Sequence, residues 1–157
     1  MTGPLSDKPG RYFEDYPVGA VFTGGPLEVR EADILEFARR YDPQPMHVDK
    51  AAAESGQFRG LIASGWHTGA LMMQLLVAHF VPSPGNLASP GLDELRWLKP
   101  VRPGDELSLR ATVLSARRSH SKPDQGIVTS LVEVLNQRGE VVMSLKPISL
   151  LRCGPAA

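Results

Sequence analysis

An α+β fold, with an antiparallel sheet wrapped around a buried helix, follows from three features of the 157-residue chain. Helical periodicity is confined to the first half, and alternation of apolar and polar residues dominates from Leu92 onward. One long helical segment is apolar nearly all round, so it needs cover on most sides, and a sheet supplies that cover. The length suits a single domain over residues 11–152, between a Pro, Gly and polar N-terminal tail at 1–10 and a short C-terminal tail at 153–157.

In chain order, Ala20 to Arg30 reads as an extended segment broken by Gly24, Gly25 and Pro26. Glu31 to Tyr41 then places Ile34, Leu35, Phe37, Ala38 and Tyr41 on one stripe at helical spacing, with acids at its start and Arg39 and Arg40 at its end to suit the helix dipole. Pro43 and Pro45 stop that helix, because a proline pushes its predecessor out of the α region and donates no backbone bond. Asp49 suits the N-cap of a short helix over 50–54. Ser64 and Gly65 lead into the apolar helix, Trp66 to Val81, which stops at Pro82 and Pro84. Leu107, Leu109, Ala111 and Val113 alternate with polar residues after a Pro103-Gly104-Asp105 turn. Ile127 to Leu135 forms a second strand and Gln137-Arg138-Gly139 turns it into Val141 to Leu151. The apolar parity of that last strand shifts from 141, 143 and 145 to 148 and 150, which predicts a bulge or bend at Pro147. Three or four antiparallel strands result.

Composition narrows the function. Seventeen Lys and Arg balance seventeen Asp and Glu, so there is no electrostatic ground for a nucleic acid or anionic membrane partner. Cys153 is the only cysteine, which excludes an internal disulfide and a cysteine metal cluster, and fits a cytoplasmic setting. The first 20 residues lack the apolar run of a signal peptide, and the apolar helix is too short to span a bilayer.

Two stretches carry chemistry. In Tyr41-Asp42-Pro43-Gln44-Pro45-Met46-His47 a carboxylate and an imidazole stand five positions apart on a loop stiffened by two prolines. That arrangement suits a pre-organised acid/base pair sharing a water. The same residues also suit a plain helix end with a loop histidine. In Gly60-Leu61-Ile62-Ala63-Ser64-Gly65-Trp66, a Ser-Gly turn opening into a helix aims free backbone N–H groups at whatever lies in front, a ready oxyanion site. An ordinary Ser64 N-cap with Gly65 allowing close packing fits equally well.

Together these stretches resemble the MaoC-like dehydratases, which include the (R)-specific enoyl-CoA hydratases and have the hotdog fold. Asp42-Pro43-Gln44-Pro45-Met46-His47 matches that family's Asp-x-Asn-Pro-aliphatic-His motif with Gln44 in place of Asn. Gly65, eighteen residues past His47, falls where the family places the glycine whose N–H holds the thioester oxygen. Leu98-Lys99-Pro100-Val101-Arg102-Pro103-Gly104-Asp105 is similar to the family's turn into a long strand, so the likeness runs from about Arg11 to Arg152. Met73, eight residues past Gly65, stands where short-chain hydratases often carry Ser, which implies a more apolar lining with one hydroxyl fewer.

The resemblance implies a hydratase or dehydratase acting on a 2-enoyl-CoA or 3-hydroxyacyl-CoA thioester, as a homodimer, with no metal or redox cofactor. Asp42 and His47 would be catalytic. Gly65, Ser64, Trp66, Gln44 and Met73 would meet the substrate. Arg96, Lys99 and Arg102 are candidates for the coenzyme A phosphates, and they fit solvated strand-end charges equally well. A thioesterase on the same fold, with Asp42 directing water at the carbonyl carbon, and a non-catalytic acyl-thioester binding protein are the alternatives. His67 and Thr68 either line the pocket or pack, His79 ends the helix, and His120 lies in a polar loop, none at metal-ligand spacing. Trp66 and Trp97 are expected in the core or an interface.

Overall fold

The computed structural model describes residues 10–82 and 84–155. All but one residue of the expected N-terminal tail lie outside the described residues. Five strands, β1 (Val21–Glu28), β2 (Asn86–Trp97), β3 (Glu106–Arg118), β4 (Gln125–Leu135) and β5 (Val141–Arg152), form one antiparallel sheet in the order β1-β3-β4-β5-β2. Four α-helices precede most of it: α1 (Glu31–Tyr41), α2 (Pro45–Val48), α3 (Lys50–Ser55) and α4 (Gly65–His79).

The alternation in β3 and β4 sets one sheet face inward. Leu107, Leu109, Ala111 and Val113 of β3 are buried, as are Val128, Ser130, Val132 and Val134 of β4. Leu71, Met72, Leu75 and Leu76 of α4 join them in one apolar cluster, so the helix packs against the inward face of the sheet. Tyr16, Phe22 and Phe80 close one end through stacked and edge-on ring contacts of 5.1–5.3 Å, and the Tyr16 hydroxyl donates to the Phe80 carbonyl.

The structure corrects four expectations. The Ala20 to Arg30 segment is a full edge strand, with a register shift between Gly24 and Leu27 where it pairs with β3. At the other edge, β2 begins at Asn86, six residues before the alternation is visible, because its Ser89, Pro90 and Gly91 hide a strand that pairs with β5 through three register shifts. No bulge occurs at Pro147 against β4: the pairs on either side, Thr129↔Ile148 and Val132↔Leu145, keep one register. The irregularities sit in β2 instead, and the parity change in β5 reflects a far half that is only partly buried. Finally, α4 is not covered all round, since Trp66, Met73 and Val77 are 63%, 45% and 55% exposed on its outer side.

Candidate active site

The connection from α1 to α4 builds the site. α1 ends at Tyr41, as its prolines require, and Asp42 becomes its C-cap. Pro45 then opens a one-turn helix, α2, with proline in the first turn, where its missing N–H costs no hydrogen bond. That turn was not legible as a helix, since four residues show no periodicity. It nevertheless buries His47 to 4% exposure and aims the ring back at Asp42. Asp49 caps α3 by accepting from the Ala52 N–H, as its position predicts.

The imidazole is fixed by its far nitrogen. His47 Nδ1 lies 2.8 Å from the Ile62 carbonyl, which only accepts, so Nδ1 carries the proton and donates. Nε2 of the neutral ring is then a bare acceptor, 3.4 Å from Asp42 Oδ2. In that tautomer no proton lies between the two acceptors, and a water or substrate hydroxyl in front of both can donate to each.

Asp42 is held by two further donors. Ser64 Oγ donates to Oδ2 at 2.7 Å and Gln44 Nε2 to Oδ1 at 2.7 Å. The Ser64 bond, then the Gln44 bond, hold the Asp42 carboxyl below the usual carboxylate range; partial burial opposes them and the nearby His47 adds to them. The group is therefore an anion at neutral pH. Ser64 is fully buried and occupies the N-cap position of α4, yet it makes no capping bond, because its hydroxyl is turned to the carboxylate.

That turn leaves the amino end of α4 uncapped by a side chain. Among the described residues the Gly65 N–H has no backbone acceptor, and a helix of 15 residues lies behind it. Gly65 also permits a close approach. Trp97 Nε1 donates to the Gly65 carbonyl at 3.0 Å, and a Cβ on residue 65 would meet the Trp97 ring at 2.5 Å. Both expected roles of this glycine, donor and close packing, are therefore compatible.

Asp42, Gln44, His47, Gly65 and Trp66 line one cavity of about 400 Å³ together with Thr68 and Lys99. Its apolar wall comes from Met46, Phe58, Ile62, Pro100 and Val142; Met46, Ile62 and Pro100 fall within the quoted stretches, but none of the five is assigned a site role from the sequence. Met46 stands on α2, Phe58, Ile62 and Pro100 on loops and Val142 at the start of β5, without periodicity toward a common point, so no local signal marks them together. Trp66 and Trp97 are not core residues: they are 63% and 45% exposed, pack edge-on at 5.1 Å, and line the cavity mouth. His67 is buried and stacked on Phe37 at 5.0 Å, away from the cavity lining, and burial lowers its proton affinity.

Four other expected positions fall differently. Met73 lies on the outer side of α4 and does not line the cavity; eight residues carry it about 12 Å along the helix from Gly65. Arg96 is exposed and donates to the Leu95 carbonyl, outside the lining. Arg102 turns inward, donating to the Phe58 carbonyl at 2.6 Å, so it braces the loop that carries Phe58. Lys99 does reach the cavity, but it is paired with Glu140, whose carboxyl Lys99 and then Arg138 hold down at about 2.

This fold and site define a small antiparallel-sheet protein with an anchored carboxylate, an oriented imidazole and a free helix-end N–H around one cavity. The MaoC-like domain model matches residues 16–135, and the chain belongs to that family. It is 43% identical to a crystal structure of the MaoC-like dehydratase from Rhodospirillum rubrum, with a TM-score of 0.85, covering 94% of this chain and 100% of that one. A Mycobacterium tuberculosis protein described as having a double hotdog fold superposes with a TM-score of 0.75 at 19% identity, over 94% of this chain and 46% of that one, and the fold here is the hotdog. Among curated proteins, YdeM of Bacillus subtilis, itself uncharacterised, is 34% identical over 80% of this chain and 87% of its own length. The mesaconyl-CoA hydratase of Cereibacter sphaeroides is 32% identical over 86% of this chain, which spans 39% of that longer protein.

Proposed function

We propose that the chain is a hydro-lyase that adds water to a 2-enoyl-CoA, or removes it from the corresponding 3-hydroxyacyl-CoA. The observation that carries this reading is the pair of facing acceptors, Asp42 Oδ2 and His47 Nε2, in the same cavity as the unpaired Gly65 N–H. A water donating to both is held with its oxygen free to attack. The new bond joins that oxygen to C3 of the enoyl group as the C2–C3 π pair moves toward the thioester carbonyl, making an enolate. The Gly65 N–H and the α4 dipole stabilise the enolate oxygen. The proton taken from water by His47 Nε2 is returned to C2, so the dyad ends as it began. Dehydration reverses each step.

The anionic Asp42 anchors the water and steadies the imidazolium formed on the way. Lys99 at the cavity supplies a cation for the coenzyme A phosphates once it is released from Glu140. A homodimer belongs to the same reading: Leu92 and Trp97 of the edge strand β2, and Trp66, Met73 and Val77 of α4, are large exposed apolar residues that a second copy would cover. The reaction is tested by incubating the protein with crotonyl-CoA. Loss of the conjugated absorbance without thiol release supports hydration. Thiol release supports a thioesterase instead, and neither change supports a non-catalytic acyl-thioester binding protein.

A further inference from the structure

Lys99 is, among the described residues, the only lysine or arginine that lines the cavity, and it already has a partner. Its ammonium donates to Oε2 of Glu140, on the turn between β4 and β5. The cavity wall is tied to the strand that leaves this turn. The Leu98 and Lys99 N–H groups both donate to the Val142 carbonyl, at 2.8 and 3.4 Å, and Val142 itself lines the cavity. The backbone of residue 99 is therefore held close to the turn. What can move is the flexible lysine stem, whose side chain is 50% exposed.

Glu140 does not depend on that lysine. Its Oε1 accepts from Arg138 Nε at 2.6 Å and from Asn136 Nδ2 at 3.1 Å. Asn136 is buried, and its own Oδ1 accepts from the backbone N–H groups of Arg138 and Glu140 at 3.0 and 3.1 Å. Gly139 takes the positive φ of 73° that the turn requires and donates to the Asn136 carbonyl. The carboxylate is thus built into the turn through one oxygen, and only the second holds Lys99. If Lys99 leaves, Glu140 keeps two donors, so the lysine can be handed over without stranding the acid.

We infer that Glu140 is an intramolecular competitor for Lys99: it holds the ammonium in the free chain and yields it to a phosphate of the coenzyme A carrier, so that binding exchanges one ion pair for another. This rests on the reading of the cavity as a coenzyme A thioester site. A phosphate monoester brings more charge than a carboxylate and three acceptor oxygens, which lets it win the exchange. Two consequences follow. The affinity gained through Lys99 is reduced by the strength of the pair that must first be broken, about two- to fivefold for a partly exposed pair. The number of ion pairs is also unchanged on binding, so added salt weakens binding less than it would if a new pair formed. The turn residue Glu140 therefore sets how firmly the carrier is held relative to the acyl group.

The test measures calorimetric binding of three ketone analogues that are neither hydrated nor hydrolysed: 2-oxopentyl-CoA, its 3′-dephospho form, and 2-oxopentyl-pantetheine, which carries no phosphate. Binding is compared in the unaltered chain, in Glu140→Gln, in Lys99→Gln and in the double variant. Glutamine keeps an oxygen for Arg138 and Asn136, so the turn retains its acceptor. Glu140→Gln is expected to bind 2-oxopentyl-CoA about two- to fivefold more tightly, with a steeper salt dependence, and to bind the pantetheine analogue unchanged. Adding Lys99→Gln is expected to abolish the gain. A gain kept with the 3′-dephospho form assigns Lys99 to the diphosphate, and a gain lost there assigns it to the 3′-phosphate. No gain in Glu140→Gln, an equal gain for the pantetheine analogue, or a gain that survives Lys99→Gln overturns the inference. If the exchange is seen but crotonyl-CoA is not hydrated, the hydro-lyase reading falls and the exchange stands. If crotonyl-CoA is hydrated and Glu140→Gln binds as the unaltered chain does, the inference falls alone. If 2-oxopentyl-CoA binds to none of the four proteins, both fall.

Discussion

At the scale of single residues, the account depends on who holds Asp42 and what faces His47. Asp42→Asn and His47→Ala are each expected to lower hydration by about 10²–10⁴-fold, the usual contribution of a positioned acid or base, with the thermal midpoint little changed. The check is turnover beside a melting curve; a variant that keeps full turnover removes its residue from the reaction. Ser64→Ala takes away the strongest of the bonds to the Asp42 carboxyl. Its proton affinity then rises, so the acid limb of the pH profile of kcat/KM moves to higher pH, with a rate loss of about tenfold for one lost charge-assisted bond. The sign for stability is the same as for any depressed carboxyl. The contribution is complete above the ordinary value of 3.8 and disappears as pH falls through the lower folded value, so Ser64→Ala reduces stability at neutral pH and narrows the difference in acid. An unshifted acid limb would mean that Ser64 serves only packing.

At the scale of elements, the start of α4 joins packing to chemistry. Gly65→Ala keeps the backbone donor but drives a Cβ to 2.5 Å from the Trp97 ring. A destabilisation of about 1–3 kcal/mol is expected for such overpacking, and Trp97→Leu in the same chain should recover part of it. Thermal denaturation of the single and double variants decides it; equal losses in both would place the strain elsewhere. Arg102→Gln distinguishes a brace from a phosphate ligand. A brace predicts faster amide exchange over residues 56–60 and unchanged salt dependence of substrate binding, whereas a phosphate contact predicts a flatter salt dependence.

How much of this was legible follows from the range of each signal. The helix of Ile34 and Ala38, the alternation in β3 and the Asp42–His47 spacing are local patterns, and each stands where its spacing puts it. The Gly65 N–H was legible from Ser-Gly before an apolar run, but Ser64 was not legible as a partner of Asp42, since 22 residues separate them. Phe58, Ile62 and Val142 reach the cavity from unrelated segments, and only the assembled chain brings them together. Strands β1 and β2 escaped full recognition because edge strands tolerate Gly, Pro and register shifts that erase alternation.

At the scale of the whole molecule, the chain is formally neutral, so under the proposed function recognition of an anionic thioester would fall to local groups, the α4 amino end and Lys99. The two open sheet edges, β1 and β2, differ in what surrounds them. The β2 side adjoins Trp97, Leu92 and the exposed apolar row of α4, which places the expected contact of a homodimer there. Sedimentation velocity is expected to give twice the chain mass, and Leu92→Asp should shift it toward the monomer; a monomeric starting protein would remove the dimer. The central claim is that the Asp42–His47 pair hydrates an enoyl thioester, and the most direct measurement follows crotonyl-CoA absorbance and free thiol together in the unaltered chain and in Asp42→Asn. Absorbance lost without thiol in the first and retained in the second is the predicted result; thiol release, or equal hydration by both, would contradict it.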